Sequence, residues 1–131
     1  MESKTVMNEQ DSRKKQAIFW LDYSQELSTA IRYEAALSAV EKAIKLDGTN
    51  VEAWYVKGTC LAIVAKYSEA LAAFEHTLSL NALYVPAWDG KAWVLGILGK
   101  RDAALLAVQR ALELDPDYYQ AQKRKERLEV M

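Results

Sequence analysis

Apolar side chains recur along this chain at helical rather than strand spacing. Within residues 51–84, Trp54, Gly58 and Leu61 fall at i, i+4 and i+7 and are followed by Ala62 and Ala65; Ala70, Leu71, Phe74 and Leu78 form a second stripe. A period near 3.6, with polar residues between, marks amphipathic helices, whereas a half-buried strand would alternate with period 2. The pattern predicts seven helices, over about residues 17–30, 33–46, 51–64, 67–80, 85–98, 101–114 and 118–130. Chemical punctuation supports the boundaries. Asn50 suits the N-cap of the helix that begins at Val51. Pro86 stands near a helix start, where its missing N–H costs little, and Pro116 lies in the link "LDPDY". Gly99 can take the left-handed conformation that ends a helix. Turns this short force neighbouring helices to run antiparallel.

The stripes repeat. Trp20, Trp54 and Trp88 are spaced by 54 − 20 = 34 and 88 − 54 = 34 residues. Ala36, Ala70 and Ala104 follow in step, each with a leucine after it, and Ser24, Gly58 and Ala92 share one place in the first helix of each unit. A fixed period of this length means an array of stacked helix pairs. The small residues mark where helix axes approach closely, because a larger side chain there would push them apart. The tryptophans fill the space beside those contacts; burying one contributes roughly 3 kcal/mol.

With tryptophan in all three units and the first alanine in all three, the sequence resembles the tetratricopeptide repeat. The units are 17–50, 51–84 and 85–118, which together cover 3 × 34 = 102 of 131 residues. The later alanine of the pattern matches at Ala43 and Ala111 but is Thr77 in the middle unit; the phenylalanine matches only at Phe74 and the closing proline only at Pro116. The leucine place holds Tyr23, Lys57 and Lys91, and the tyrosine place Leu27, Leu61 and Leu95. The resemblance implies an all-α fold, a right-handed α-solenoid of antiparallel helix pairs. Residues 119–131 read as a capping helix: Gln122, Glu126 and Glu129 stand where a fourth unit would pack, and Ala121 and Leu128 make the inward stripe.

The resemblance also implies a concave groove, lined by the first helix of each unit, that binds a peptide or a helix of a partner protein. The residues placed to face it are Leu21, Asp22, Gln25 and Ser28 from the first unit, and Glu52, Tyr55, Val56, Thr59 and Ile63 from the second. Asp89, Gly90, Trp93 and Ile97 follow from the third, and Lys123, Arg124 and Arg127 from the cap. Relatives that hold the acidic tail of heat-shock chaperones use a two-carboxylate clamp of lysines, asparagines and an arginine. Its places here are Leu21, Gln25, Val56, Pro86 and Gly90, none of them basic, so that partner is not expected. Tyr55 and Trp93 are the candidate anchors. For Trp93 the alternative is packing against the following helix.

Composition narrows the classes further. Net charge is −1, with 51% hydrophobic and 27% charged residues, which fits a folded chain with no pull toward nucleic acid. No apolar run is long enough to span a bilayer, so no membrane insertion is expected. The first residues lack a secretory core and a single cysteine, Cys60, forms no internal disulfide, which favours the cytoplasm. His76 is the sole histidine and has no ligand cluster, no nucleophilic set can be assembled, and no glycine-rich phosphate loop occurs. Neither enzyme activity, cofactor nor metal is expected. The basic run "QKRKERLE" is either a contact for acidic groups or a solvated cap face. Residues 1–16 form a polar leader that extends the first helix back from Ala17, lies across the exposed end of the first unit, or sits in another molecule's groove, and self-association through the leader or first unit is the alternative to an adaptor role.

Overall fold

The structure, a computed structural model, describes residues 8–131. Among these it contains seven α-helices and no strand: α1 (Glu9–Thr29), α2 (Tyr33–Leu46), α3 (Val51–Ile63), α4 (Tyr67–Leu80), α5 (Val85–Ile97), α6 (Arg101–Leu114) and α7 (Tyr119–Glu129). The helices pair as α1–α2, α3–α4 and α5–α6, and α7 packs on α5 and α6. This is the all-α solenoid of helix pairs that the repeat implied.

Six helices begin and end close to the expected places. α1 does not: it starts at Glu9, not residue 17, so residues 9–16 of the leader are helical. Nothing in "NEQDSRKKQ" breaks a helix, Asn8 accepts the Asp11 N–H at 2.8 Å as an N-cap, and Glu9 and Asp11 complement the dipole of the first turn. The rest of the leader, residues 1–7, lies outside the described residues, and so do its suggested positions on another surface.

Each first helix ends the same way. Ile31, Ala65 and Gly99 have φ of 61°, 68° and 78°. The N–H after each reaches back to Leu27, Leu61 and Leu95 respectively, at 2.8, 2.8 and 2.9 Å. These are Schellman closures, which want glycine at the left-handed residue; only the third unit supplies one. The second helices end at Asp47, Asn81 and Asp115, whose side chains accept the N–H two residues on, from Thr49, Leu83 and Asp117. Such Asx turns satisfy a loop donor locally. The Thr49 hydroxyl also donates to Asp47 at 2.6 Å and holds that carboxyl below its ordinary pKa.

The core follows the repeat. Ala36, Ala70 and Ala104 are fully buried, and Ser24, buried in the same layer, donates to the Ala36 carbonyl at 2.6 Å. Phe74 is enclosed between two glycines: a Cβ added at Gly58 or Gly90 would come within 2.7 Å of its ring. Gly90 is therefore a core seat and not the groove-facing residue its register suggested. The tryptophans are half-buried, with Nε1 of Trp54 donating to Gly48 O at 2.9 Å and Nε1 of Trp88 to Ala82 O at 2.8 Å. Gln122 makes the same contact in α7, donating to Pro116 O at 2.7 Å. The lysines at the leucine place have a role of their own. Lys57 lies 5.2 Å from the Trp54 ring and 3.7 Å from Glu41; Lys91 lies 5.5 Å from Trp88 and 3.6 Å from Glu75. Each ammonium thus lies over a tryptophan face while paired with a carboxylate of the preceding helix.

Candidate functional site

The curvature of the array follows from which helices touch. First helices of successive units meet, α1 with α3, α3 with α5 and α5 with α7, whereas α2, α4 and α6 do not meet one another. The array is thus closed on one side and splayed on the other, and α1, α3, α5 and α7 line the concave side.

Three links run across this face. Gln25 Nε2 donates to Glu52 at 2.9 Å, the Ser28 hydroxyl lies 3.6 Å from Cys60 Sγ, and Arg124 donates to both Asp89 oxygens at 2.7 and 3.1 Å. The guanidinium of Arg124 also sits 6.0 Å from the centre of the Trp93 ring. The planar fork grips both carboxylate oxygens in parallel while lying beside the ring. Cys60 is buried, and that burial raises its thiol pKa, as suits a small core residue.

Tyr55 stands at the middle of the face, its ring centre 5.6 Å from Tyr84 and 5.8 Å from Phe74. Desolvation raises the pKa of Tyr55 and of Tyr84. Tyr118 is pushed up to about 12, first by desolvation and then by the negative ends of Tyr55 and Asp89. Three phenols thus share one partly dry patch beside the Asp89–Arg124 pair.

Of the residues expected on the groove, Tyr55, Thr59, Trp93, Gln25 and Lys123 are half-buried, and Ile63, Ile97, Arg127, Asp22 and Glu52 are exposed. Leu21, Val56 and Asp89 are buried. Leu21 and Val56 belong to the core between α1, α2 and α3, and Asp89 is covered by Arg124, so these three support the face and are not open on it. Lys123 lies 3.7 Å from Glu126 and 5.4 Å from the Tyr119 ring. Tyr84 and Tyr118 were not anticipated. Both stand immediately before a first helix, at the place Asn50 holds in the first unit, and 118 − 84 = 34 was the available signal.

His76, on a solvated face, lies against Trp54 with ring centres 3.9 Å apart and the planes tilted by 37°. Among the described residues no group of three or more His, Cys, Asp or Glu converges as a metal site would, and no helix is long and apolar enough to cross a membrane.

The family model described as anaphase-promoting complex, cyclosome, subunit 3 matches residues 4–77, and the one described as tetratricopeptide repeat matches residues 85–118. The first match covers more than half of the chain. This chain belongs to that model's family and is a tetratricopeptide repeat protein. No curated protein matches its sequence. Solved structures share the repeat fold at low identity. The Arabidopsis OM64 TPR domain is 16% identical with a TM-score of 0.88, over 90% of this chain and 98% of that one. The second TPR domain of human RPAP3, in complex with an HSP70 peptide, is 23% identical with a TM-score of 0.84, over 89% and 98%. YrrB, described as a TPR protein with an unusual peptide-binding site, is 22% identical with a TM-score of 0.81, over 85% and 57%. With these likenesses the three repeats and α7 read as three TPR units and a capping helix.

Proposed function

We propose that this TPR protein is a non-catalytic, cytoplasmic interaction module that holds a peptide or helix of a partner protein on its concave face. The observation that carries the reading is the use of Tyr84 and Tyr118 at helix starts. Asn50, at the same register, caps α3 by accepting the Ala53 N–H at 3.1 Å, while α5 and α7 have no side-chain cap. Giving up such a cap costs about 1 kcal/mol each time. Because α2, α4 and α6 are uncapped as well, the sign is not the missing cap but the recurrence of a half-buried tyrosine at this one register before two first helices. Tyrosine and tryptophan are the side chains that most often anchor interfaces, since they carry large contact area at little entropic cost.

The chemistry of the partner follows from the lining. Tyr55, Tyr84, Trp93, Ile63 and Ile97 offer apolar and aromatic contacts to bulky side chains. Lys123 and Arg127 on α7 suit an acidic residue beyond them. The RPAP3 domain holds a chaperone peptide, but a two-carboxylate clamp has no counterpart here: Leu21, Val56 and Gly90 are core residues and Gln25 is bonded to Glu52.

The test is affinity capture from the source lysate with wild type, a Tyr55→Ala/Trp93→Ala chain and a Tyr84→Asn chain, each checked for helicity. A protein held by wild type and lost by both variants supports the reading. Equal capture by all three removes the groove from consideration.

A further inference from the structure

The outer face of α1 meets no other element among the described residues. Its register mates show how the repeat treats that face elsewhere. Ala53, Ala87 and Ala121 are 0% exposed where α3, α5 and α7 lie on the second helix of the preceding unit. The same place in α1 holds Phe19, which is 61% exposed. One helical turn on, Tyr23 is 42% exposed, and the two rings stack with centres 6.4 Å apart. Further along, Cys60, Val94 and Leu128 are buried, whereas α1 has the exposed Glu26. The face is neither polar like a cap nor apolar like an inner repeat. It carries an aromatic centre with an exposed cation, Lys15, at one end and an anion, Glu26, at the other.

That arrangement is self-complementary. Lys15, Phe19, Tyr23 and Glu26 follow at spacings of 4, 4 and 3, and so lie on one stripe of the helix. When an antiparallel copy of α1 is laid on it, Phe19 meets Tyr23 of the copy and Lys15 meets Glu26 of the copy. The two contacts lie within one residue of a common register, since 19 + 23 = 42 and 15 + 26 = 41, an offset that the long lysine and glutamate side chains span. A two-fold axis repeats each of them. Head-to-tail growth has no matching surface at the other end, because α7 turns Gln122, Lys125, Glu126 and Glu129 outward. We infer that this face of α1 is a two-fold interface with a second copy of the chain, closed by reciprocal Phe19–Tyr23 and Lys15–Glu26 contacts.

Sedimentation equilibrium over a concentration series tests it on the full chain. Wild type is expected to go from monomer to dimer and no further. Phe19→Ser, a change at an exposed position, should keep helicity and raise the dimer dissociation constant at least tenfold. Lys15→Glu and Glu26→Lys chains should each self-associate about tenfold more weakly, and dimerise again when mixed, because both like-charge contacts then become ion pairs. A monomeric wild type at every concentration overturns the proposal, as does a dimer indifferent to all three substitutions. A monomer that associates only after residues 1–7 are removed also overturns it, by giving the face to the chain's own N-terminus.

Discussion

The two ends of the array are built to opposite rules. At the C-terminal end, α7 turns Ala121 and Leu128 inward and charges outward, and it is fastened by Arg101, which donates to the Leu128 carbonyl at 2.7 Å, and by the Arg124–Asp89 pair. At the N-terminal end, α1 runs past its own unit and is tied to α2 there by Arg13, donating to Lys45 O at 3.0 Å, while its aromatic stripe faces outward. A solenoid is therefore not ended by stopping its repeat. It is ended by changing what the last helix shows to water, and among the described residues that change is made at α7 and not at α1.

The largest expected effect lies at the closed end. Leu128→Ala empties the contact of α7 with Gly96 and the α6 core, and should cost about 3 kcal/mol in a urea titration. A loss below about 1 kcal/mol would mean that α7 is not a structural end cap. Next comes Arg124→Ala, which leaves the buried Asp89 carboxylate without its partner and should cost about 2 kcal/mol. Replacing both residues, as Asp89→Asn with Arg124→Leu, should recover most of that loss, because the penalty belongs to the unpaired charge and not to the absent cation.

A smaller effect distinguishes the two ends by their turns. Ile31 closes the first unit with a branched side chain at positive φ and is 74% exposed, whereas Gly99 closes the third. Ile31→Gly should stabilise the chain by up to about 1 kcal/mol in thermal unfolding, since little packing is lost and a left-handed strain is relieved. The reciprocal Gly99→Ile should destabilise. The mildest effect is in alkali. Tyr118 keeps its proton up to about 12 in the folded chain, against 10.0 for the ordinary phenol. The folded form thus binds the proton that the unfolded form releases, and stability should fall as pH rises from 10 toward 12. Tyr55 and Tyr84 act in the same direction. Tyr118→Phe should flatten the fall, and an unchanged pH profile would remove Tyr118 from this linkage.

Much of the molecule was legible because helix pairs punctuate themselves. The 34-residue tryptophan spacing and the proline, glycine and asparagine positions located six helices closely, and only α1 outran its reading, since a start set by Asn8 lies outside the repeat. The concave face was less legible. Periodicity assigns a residue to a side of its helix, but Leu21 and Val56 stand where neighbouring first helices press together, and no pattern within one helix reports that. The Asp89–Arg124 pair joins residues 35 apart on different helices, and its geometry exists only once α5 and α7 are in contact. Tyr84 and Tyr118 could have been found by period alone. They were hidden by standing at turns, where side chains are usually read as caps.

Phe74 gives the array a property beyond shape. Its ring is lodged against Gly58 of α3 and Gly90 of α5, whereas Val40 and Val108 occupy that place in the outer units. One side chain therefore couples two units that a nearest-neighbour stack would otherwise bind only through a broad and divisible interface. The middle of the chain should open and close as one cooperative block, with amide protons of α3, α4 and α5 exchanging together, while α1 and α7 fray ahead of it.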